Sequence, residues 1–456
     1  VNRGRHRPEH DERTHMDSGN AAWMLTSASL VLLMTPGLAL FYGGMSRAKS
    51  VLNMMMMSFG AMATVGVVYV LWGWSMSYGT DSIGGIFNNP FESFGLSGAI
   101  FDAEGGYLLN GFNYPVVIDI GFQVTFAIIT TALISGAIAE RIKFSSWMVF
   151  TVIWVTLSYF PLAHMVWGGG LLSGSENGLA AKLFGVTDGA ATVAPIDFAG
   201  GTVVHINAGI AALVLALVVG KRKGFGKVPM RPHNLTLTML GAGLLWFGWF
   251  GFNGGSAFAA DGVAGWAWLN TTAATAAAIL GWLVVEKIRD GHATSLGAAS
   301  GVVAGLVAVT PAAGALNPVG SIILGVLAGG VCALAVGLKY KYGFDDSLDV
   351  VGVHLVGGLI GTVVIGFLST GGSVFFTSEG TFGFGGFEQL IIQIVIAAVA
   401  LIYSGVITLV IALVIKKVMG WRVSEEAESR GIDLAEHGES AYEGLLATRI
   451  ETSEVK

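Results

Sequence analysis

The chain has 456 residues, of which 53% are hydrophobic and only 12% are charged, and its mean hydropathy is +0.69. Because a soluble domain usually carries about 25% charged residues, this composition excludes a soluble enzyme with one anchor and predicts a polytopic membrane protein. The net charge of −6 indicates no particular partner, we expect no nucleic-acid partner, and the single cysteine, Cys332, excludes a disulfide framework and a cysteine metal cluster.

Residues 1–20 form a polar segment of mixed charge that lacks the apolar core of a signal peptide, and we expect this segment outside the cytoplasm. The apolar pattern begins only after Met16. One hypothesis is therefore that Met16 is the initiator and that residues 1–15 are not native. An N-terminal mass measurement that finds residues 1–15 in the purified protein would refute it.

Eleven apolar spans follow, and each meets or approaches the ~20 residues that cross ~30 Å of hydrocarbon. They lie near residues 21–46, 50–78, 117–139, 145–163, 197–220, 235–258, 264–285, 295–315, 319–338, 348–368 and 387–415. The sequence therefore predicts an all-α polytopic membrane protein with one domain of eleven transmembrane helices over 21–415 and a C-terminal tail over 416–456.

The lysine and arginine residues alternate with these spans. Every cluster follows an odd-numbered span, whereas the loops after even-numbered spans contain one basic residue, Lys182. Under the positive-inside rule, this pattern places the N-terminus outside and the C-terminal tail in the cytoplasm. We expect a multi-pass protein of the cell membrane, such as a bacterial inner membrane.

Two pairs of segments resemble each other at a separation of five spans. Asp197–Gly209 (DFAGGTVVHINAG) in span 5 and Asp346–Gly358 (DSLDVVGVHLVGG) in span 10 both have an Asp eight residues before a His and a Gly four residues after it. Spans 1 and 6 share FYGG at Phe41–Gly44 and FNGG at Phe252–Gly255. Because five is odd, the second half must enter the membrane upside down. We therefore predict an inverted repeat of spans 1–5 and 6–10 with a site near the midplane.

His205 and His354 are the two histidines predicted to lie deep in spans. Titratable groups are costly inside a bilayer and by default belong to a functional site, although a lone buried histidine is more often a packed core residue. Neutral imidazoles donate and accept hydrogen bonds, so a pair that faces a narrow pore could hold a small polar solute. A metal site is the competing interpretation, which two histidines without a third nearby ligand support poorly.

Asp197, Asp346 and Trp167 have structural alternatives. Both aspartates begin their spans, where a carboxylate caps a helix N-terminus, and Asp197 could also stabilise a cation at the outer mouth. Trp167 lies in the run HMVWGGG at the outer end of span 4. It belongs either to the interfacial aromatic belt or, because three glycines leave room beside its ring, to a site where a cation binds the ring face.

Taken together, these motifs identify a resemblance. DFAGGTVVHINAG, AHMVWGGG (163–170), GWFGFNGGS (248–256), FYGG and DVVGVH (349–354) closely resemble long, specific motifs of the Amt/MEP/Rh ammonium transporters, on the Amt side. The resemblance covers about Met16 to Tyr442. It implies eleven helices, a pore through each subunit of a homotrimer, ammonium and ammonia as substrates with methylammonium as an analogue, and a protein that is not an enzyme and needs no cofactor or metal.

The resemblance also implies roles for residues in the pore. His205 and His354 match the paired pore histidines, and Trp249 matches a residue that lines the pore. Asp197 matches the carboxylate that supports the site at the outer mouth.

At the outer mouth, the resemblance implies an ammonium-recruiting site of Trp167, Phe126 and Ser256. Phe126 and Phe252 match a stacked phenyl gate beneath it. In the implied mechanism, ammonium binds at this site and is deprotonated, and ammonia then passes the gate and the histidines, with or without net proton movement.

The segment 421–442 (WRVSEEAESRGIDLAEHGESAY) resembles the cytoplasmic C-terminal segment of the family. This implies that 416–456 is a regulatory tail that couples subunits and helps bind a PII-type signalling protein, whereas its glutamate-rich composition alone predicts a solvated segment. The alternative function is an ammonium sensor that acts through this tail with little flux. The few residues after span 11, without a fused output domain, count against it.

Overall fold

The structure is a computed structural model that describes residues 16–442, so the prediction that residues 1–15 are not native lies outside the described residues. Most of this part of the chain is helical. The principal helices are α1 Ser18–Met45, α2 Val51–Tyr78, α3 Val116–Ile138, α4 Phe144–Val166, α5 Gly201–Val219, α6 Leu235–Gly254, α7 Gly262–Asp290, α8 Ser295–Val309, α9 Pro318–Tyr342, α10 Val351–Leu368 and α11 Glu388–Val418.

Ten of these helices are long and apolar enough to cross a membrane, and α8, with 15 residues, is shorter. The all-α, multi-pass architecture is confirmed, while the count of eleven crossings and the location of the termini stay predictions. The predicted extension of α8 to residue 315 is wrong. The helix ends at Val309, and Pro311 has no N–H with which to continue the helical hydrogen bonds.

Short polar side chains fix where several helices begin. Each accepts a hydrogen bond from a backbone N–H two or three residues ahead, which satisfies a donor that the helix itself leaves free. These caps are Asp17, Asn234, Asp261, Thr294 and Asn317.

Glycines let neighbouring helices approach closely. A Cβ on Gly241 of α6 would lie 2.4 Å from the backbone nitrogen of Phe41 on α1, so these two helices, which the predicted repeat relates, touch backbone to backbone. A Cβ on Gly325 of α9 would lie 2.2 Å from the carbonyl oxygen of Ala274 on α7. These contacts fit the role of small residues in packing membrane helices.

The loops after α1, α3, α5 and α9 and the segment after α11 lie together on one side of the molecule, here called the basic face and comprising 46–50, 139–143, 220–234, 343–350 and 419–442. Arg47 forms an ion pair with Glu140 at 2.7 Å, and Arg222 bridges Glu140 at 3.1 Å and Asp345 at 2.9 Å. Loops that follow α1, α3, α5 and α9 are thus joined directly. The loops on the opposite side form what we call the outer face, after the orientation that the basic residues predict.

Burial alone would raise the pKa of Asp345, but hydrogen bonds from Arg222 and the charges of Arg141 and Arg222 hold it below its ordinary value. Burial lowers the pKa of Arg141 to about 10. Its guanidinium remains bonded to the carbonyl oxygens of Ala137 and Asp345. On this face the charges of Glu140, Arg222 and Asp345 are therefore buried but paired.

The tail packs against the basic face instead of extending into solvent, so the composition-based prediction of a solvated segment is wrong for several of its residues. Trp421 and Ile432 are buried, and Glu428 is 3% exposed and accepts the backbone N–H of Lys223. Asp433 accepts the N–H groups of residues 52 and 53 at 3.1 and 2.8 Å and so caps α2. The tail is therefore anchored to the start of a membrane helix.

The outer face carries the longer loops. Two short hairpins pair Ser82–Ile83 with Phe87–Asn88 and Val186–Thr187 with Ala190–Ala191. A short helix, Leu179–Phe184, precedes the second hairpin and contains Lys182. These loops surround the end of α4, where Trp167 is located.

Candidate functional site

His205 and His354 lie near the starts of α5 and α10, each in a π-helical turn, Gly201–Ile206 and Val351–Leu355. Such turns insert an extra residue into a helix and are frequent at functional sites. Both turns follow an aspartate whose carboxylate accepts N–H groups four and five residues ahead. Asp197 bonds residues 201 and 202, and Asp346 bonds residues 350 and 351. The two carboxylates thus hold the two turns in the same way.

The predicted repeat appears in the packing of the two turns. A Cβ on Gly209, four residues after His205, would lie 2.5 Å from the backbone nitrogen of Leu355. A Cβ on Gly358, four residues after His354, would lie 3.0 Å from Cβ of His205. Each glycine therefore makes room for the histidine-bearing segment of the other half.

The two imidazoles meet inside the protein. Their Nδ1 atoms are 3.2 Å apart, and their rings stack with centroids 5.4 Å apart. His205 is 0% exposed and His354 is 3% exposed. A hydrogen bond between two Nδ1 atoms needs one donor and one acceptor, so one ring carries its proton on Nδ1 and the other on Nε2.

The walls around the pair are apolar. His205 and His354 line a small chamber of about 10 Å³ with Trp249, Phe252 and aliphatic side chains from α1, α3, α6 and α8. This is close to the smallest space that holds one water molecule. Trp249 stacks on His205 with centroids 5.5 Å apart, and its indole N–H donates to Thr310 Oγ1 at 2.8 Å. Nε2 of His205 is buried without a partner among residues 16–442.

Two phenylalanines separate this chamber from the outer face. The rings of Phe126 and Phe252 stack at a centroid distance of 4.1 Å and an angle of 19°. Both are buried, and Phe252 lines the chamber whereas Phe126 lines a cavity on its outer side. The two stacked rings therefore lie between the two spaces.

The outer cavity has a volume of about 410 Å³. Trp167 lines it, and its ring is nearly perpendicular to that of Phe126, at an angle of 86° with centroids 6.1 Å apart. Ser256 also lines it, and its hydroxyl donates to the carbonyl oxygen of Phe252 at 2.8 Å, which leaves the oxygen free to accept. The further lining residues are Tyr78, Gln123, Val166, Gly169, Ser173, Gly174, Ser175, Phe198 and Phe258.

Asp197 is adjacent to the outer cavity but does not line it, because its carboxylate is turned toward the start of α5. Its carbonyl oxygen accepts the indole N–H of Trp167 at 2.9 Å. Asp197 thus positions Trp167 through the backbone and the π turn through its side chain. Gln123 and Tyr78 were not predicted from the sequence, although Gln123 lies three residues before Phe126 and therefore on the same face of α3.

A third cavity, of about 420 Å³, opens on the basic face. Its lining includes Arg222, Lys227, Lys339 and Asp349.

Within residues 16–442, no group of three or more His, Cys, Asp or Glu side chains is arranged to hold a metal ion, so the competing metal interpretation gains no third ligand.

Comparison with known proteins points to one family. Residues 22–442 match the Ammonium Transporter Family. The chain is 52% identical to an ammonium transporter of Mycobacterium tuberculosis, over 95% of this chain and 92% of the other. It is 47% identical to an ammonium transporter of Aquifex aeolicus, over 94% of each.

Solved structures agree with the sequence comparison. The crystal structure of Saccharomyces cerevisiae Mep2 superposes with a TM-score of 0.76 at 30% identity, over 91% of this chain and 92% of that one. A structure described as Sensor Amt Protein superposes with a TM-score of 0.79 at 29% identity, over 92% and 98%. The chain, a multi-pass membrane protein, therefore belongs to the ammonium transporter family.

Proposed function

We propose that this protein recruits ammonium in the outer cavity, deprotonates it there, and conducts ammonia past Phe126 and Phe252 to the pair of His205 and His354. The order of these elements supports the proposal. An aromatic cavity is followed by two stacked rings, and the rings by a chamber with room for about one small molecule, which contains the two imidazoles.

The cavity would attract ammonium by its positive charge, although none of the residues that line the cavity carries a carboxylate. The face of a tryptophan ring attracts a cation by about 0.5–2 kcal/mol, with the larger value in a desolvated site. Trp167 and Phe126 supply ring surface, and the Ser256 oxygen supplies an acceptor for an N–H of ammonium. Asp197 contributes by fixing Trp167.

Deprotonation lowers the cost of the next step. A charged side chain at the centre of a bilayer costs at least about 2.5–3.5 kcal/mol, and the narrow chamber beyond Phe252 is apolar apart from the imidazoles and one indole. Ammonia avoids this cost because it is neutral. Its proton either returns to the outer side or moves by a separate route that involves the histidines.

The histidine pair suits ammonia because the pair offers one hydrogen-bond donor and one acceptor. With one proton shared between the two Nδ1 atoms, one Nε2 is a donor and the other is an acceptor. Ammonia has both N–H donors and a lone pair, so it matches either nitrogen. A proton added to the acceptor Nε2 would turn that nitrogen into a second donor, so the pair would no longer accept an N–H of ammonia.

Replacing His205 and His354 by leucine tests this role. We expect the double variant to lose or alter the ammonium-evoked and methylammonium-evoked currents in a solid-supported-membrane recording, which also reports charge movement. His292→Leu, which removes an exposed histidine of the α7–α8 loop, is the control and should conduct normally. Unchanged currents and selectivity in the double variant would contradict the proposed role of the pair.

We further propose that residues 21–415 form the transport domain of a homotrimer, that residues 1–20 lie outside the cytoplasm, and that 416–456 is a cytoplasmic regulatory tail which helps bind a PII-type protein. The docking of Trp421, Glu428 and Asp433 on the basic face supports a tail that responds to events there. Native mass spectrometry tests the trimer. A pull-down of the PII-type protein at changing nitrogen supply, lost on deletion of 421–456, tests the partner.

The second candidate is an ammonium sensor with little flux. Its support is the similarity to the structure described as Sensor Amt Protein. The same recording separates the two functions, because a sensor binds ammonium without a sustained ammonium-evoked flux.

A further inference from the structure

Asn207 closes the π turn that carries His205. In an α-helix, the backbone N–H of Asn207 would bond the carbonyl oxygen of Val203, four residues before it. In this turn, that N–H bonds the carbonyl oxygens of Thr202 and Val204 instead. The side-chain amide of Asn207 replaces the missing bond, because its Nδ2 donates to the Val203 oxygen at 3.1 Å. The turn therefore depends on this side chain for one of its hydrogen bonds.

Two hydroxyl groups from other helices hold the amide of Asn207. Ser158 of α4 donates to its Oδ1 at 2.9 Å, and Ser404 of α11 donates to the same oxygen at 2.6 Å. Asn207, Ser158 and Ser404 are each 0% exposed. A buried polar network whose members are all paired makes its surroundings rigid. The first π turn is therefore tied to two neighbouring helices through one side chain.

The second histidine turn has no such support. The residue two positions after His354 is Val356, whose side chain forms no hydrogen bonds, whereas Asn207 lies two positions after His205. The helix that supplies Ser404, α11, also lies outside the predicted repeat of α1–α5 and α6–α10. Because the second π turn forms without an equivalent network, the network around Asn207 does more than create a π turn.

We propose that Asn207, held by Ser404 and Ser158, is a positioning residue that keeps the ring of His205 against His354 and so keeps the chamber too small for solutes larger than ammonia. This inference rests on the proposed conduction of ammonia past the pair.

The contact between the two rings tolerates little movement. Their Nδ1 atoms are 3.2 Å apart, so a displacement of His205 by about 0.4 Å breaks the hydrogen bond. The chamber that they line has a volume of only about 10 Å³. A ring that moves away from its partner therefore enlarges the chamber by a large fraction of its size.

The test compares methylammonium with ammonium, because methylamine is larger than ammonia by one methyl group. Ser404→Ala removes a donor to Asn207, and Ser404→Thr keeps it. In Ser404→Ala, the ratio of methylammonium-evoked to ammonium-evoked current should rise about twofold or more, the scale of one lost neutral hydrogen bond. Ser404→Thr should keep the ratio of the unchanged protein. The half-saturating ammonium concentration should stay the same, because ammonium binds before the gate.

Thr408 of α11 provides a matched control for packing. It lies one turn along α11 from Ser404, it is 0% exposed, and its hydroxyl accepts the indole N–H of Trp154 on α4 at 2.9 Å. Thr408→Val should therefore lower the melting temperature at least as much as Ser404→Ala does, but it should leave the current ratio unchanged. If both variants change the ratio equally, loosening of α11 explains the result and the inference is wrong.

A second readout does not depend on transport. Backbone hydrogen–deuterium exchange should be faster over Gly201–Ile206 in Ser404→Ala than in the unchanged protein, and it should not change over Val351–Leu355. If the unchanged protein gives no ammonium-evoked current but shows this difference, conduction is refuted and the positioning of the turn stands. In a conducting protein, an unchanged current ratio in Ser404→Ala would overturn the inference, whatever the exchange. If Ser404→Ala does not fold, Ser158→Ala decides by the same two measurements, because it removes the other donor to Asn207.

Discussion

Thr310 supports the histidine pair from behind, through Trp249. Its hydroxyl accepts the indole N–H of Trp249 at 2.8 Å and donates to the carbonyl oxygen of Leu306 at 2.7 Å. Trp249 is 2% exposed and stacks on His205 at an angle of 16°. Thr310→Val preserves the shape of the side chain but leaves the indole N–H without an acceptor.

These contacts set the loss of stability that we expect in Thr310→Val. A buried donor that loses its acceptor costs about 1–3 kcal/mol. The carbonyl oxygen of Leu306 still accepts the backbone N–H of Thr310 at 3.2 Å, so the second broken bond adds little. We therefore expect Thr310→Val to lower the free energy of unfolding by about 1–3 kcal/mol and to reduce the current, because Trp249 no longer holds the ring of His205 in place.

Two further variants make this result interpretable. Thr310→Ser keeps the hydroxyl and should retain both the melting temperature and the current. Thr272→Val removes an exposed hydroxyl of α7 that bonds only the carbonyl oxygen of Trp268, and it should change neither quantity. If Thr310→Val melts and conducts like Thr310→Ser, the indole hydrogen bond does not support the pore as argued.

Three other predictions concern the framework. Gly209→Val should prevent stable folding, because its Cβ would lie 2.5 Å from a backbone nitrogen of α10. Gly243→Val should be tolerated, because a Cβ there has no atom within 4 Å. Size-exclusion profiles of the purified variants would show this difference. The pKa of Asp345 is held below its ordinary value, so the stabilisation by Asp345 is complete above the unfolded pKa of about 3.9 and is lost as pH falls through the folded pKa. Asp345→Asn should therefore flatten the fall in melting temperature below about pH 4. An equally steep fall in this variant would contradict the prediction. Asp433→Ala should free the tail and speed its proteolysis, because α2 loses its cap at a cost of about 1 kcal/mol, while Glu439→Ala on the exposed part of the tail should leave the cleavage rate unchanged.

The helices could be predicted closely from the sequence because their length is set by the bilayer and their ends by recognisable residues. The predicted start of α5 at residue 197 and that of α10 at residue 348 were early, since the helices begin at Gly201 and Val351 after the capping aspartates. The distance between each aspartate and the start of its helix depends on which N–H groups the carboxylate accepts, and the hydrophobic periodicity of the sequence contains no information about these bonds. The end of α8 was missed because an apolar run continues past Pro311.

The histidine pair could also be predicted, because two rare titratable residues recur at one spacing and at a separation of an odd number of spans. The π turns that carry them could not, since such turns are rare single-turn insertions into α-helices. Gln123 was missed for a related reason. From the sequence, a single glutamine in an apolar span is equally compatible with a core residue whose hydrogen bonds are all made inside the protein and with a ligand-binding residue. Only the hydrogen-bond partners in the structure distinguish these two roles.

The repeat also explains why recruitment is expected at one face only. The carbonyl oxygen of Asp197 accepts the indole N–H of Trp167 at the end of α4, and the carbonyl oxygen of Asp346 accepts Nζ of Lys339 near the end of α9 at 3.0 Å. α4 and α9 are five helices apart, so the two donors occupy corresponding positions of the two halves. A cation that arrives from the outer face meets an aromatic ring, whereas one that arrives from the basic face meets the charged amine of Lys339, which lines the cavity there. Asp349 pairs with that amine at 2.6 Å and offsets part of its charge, but it offers no ring surface. We therefore expect ammonium to bind on the outer side, and we expect ammonia, being neutral, to pass in either direction.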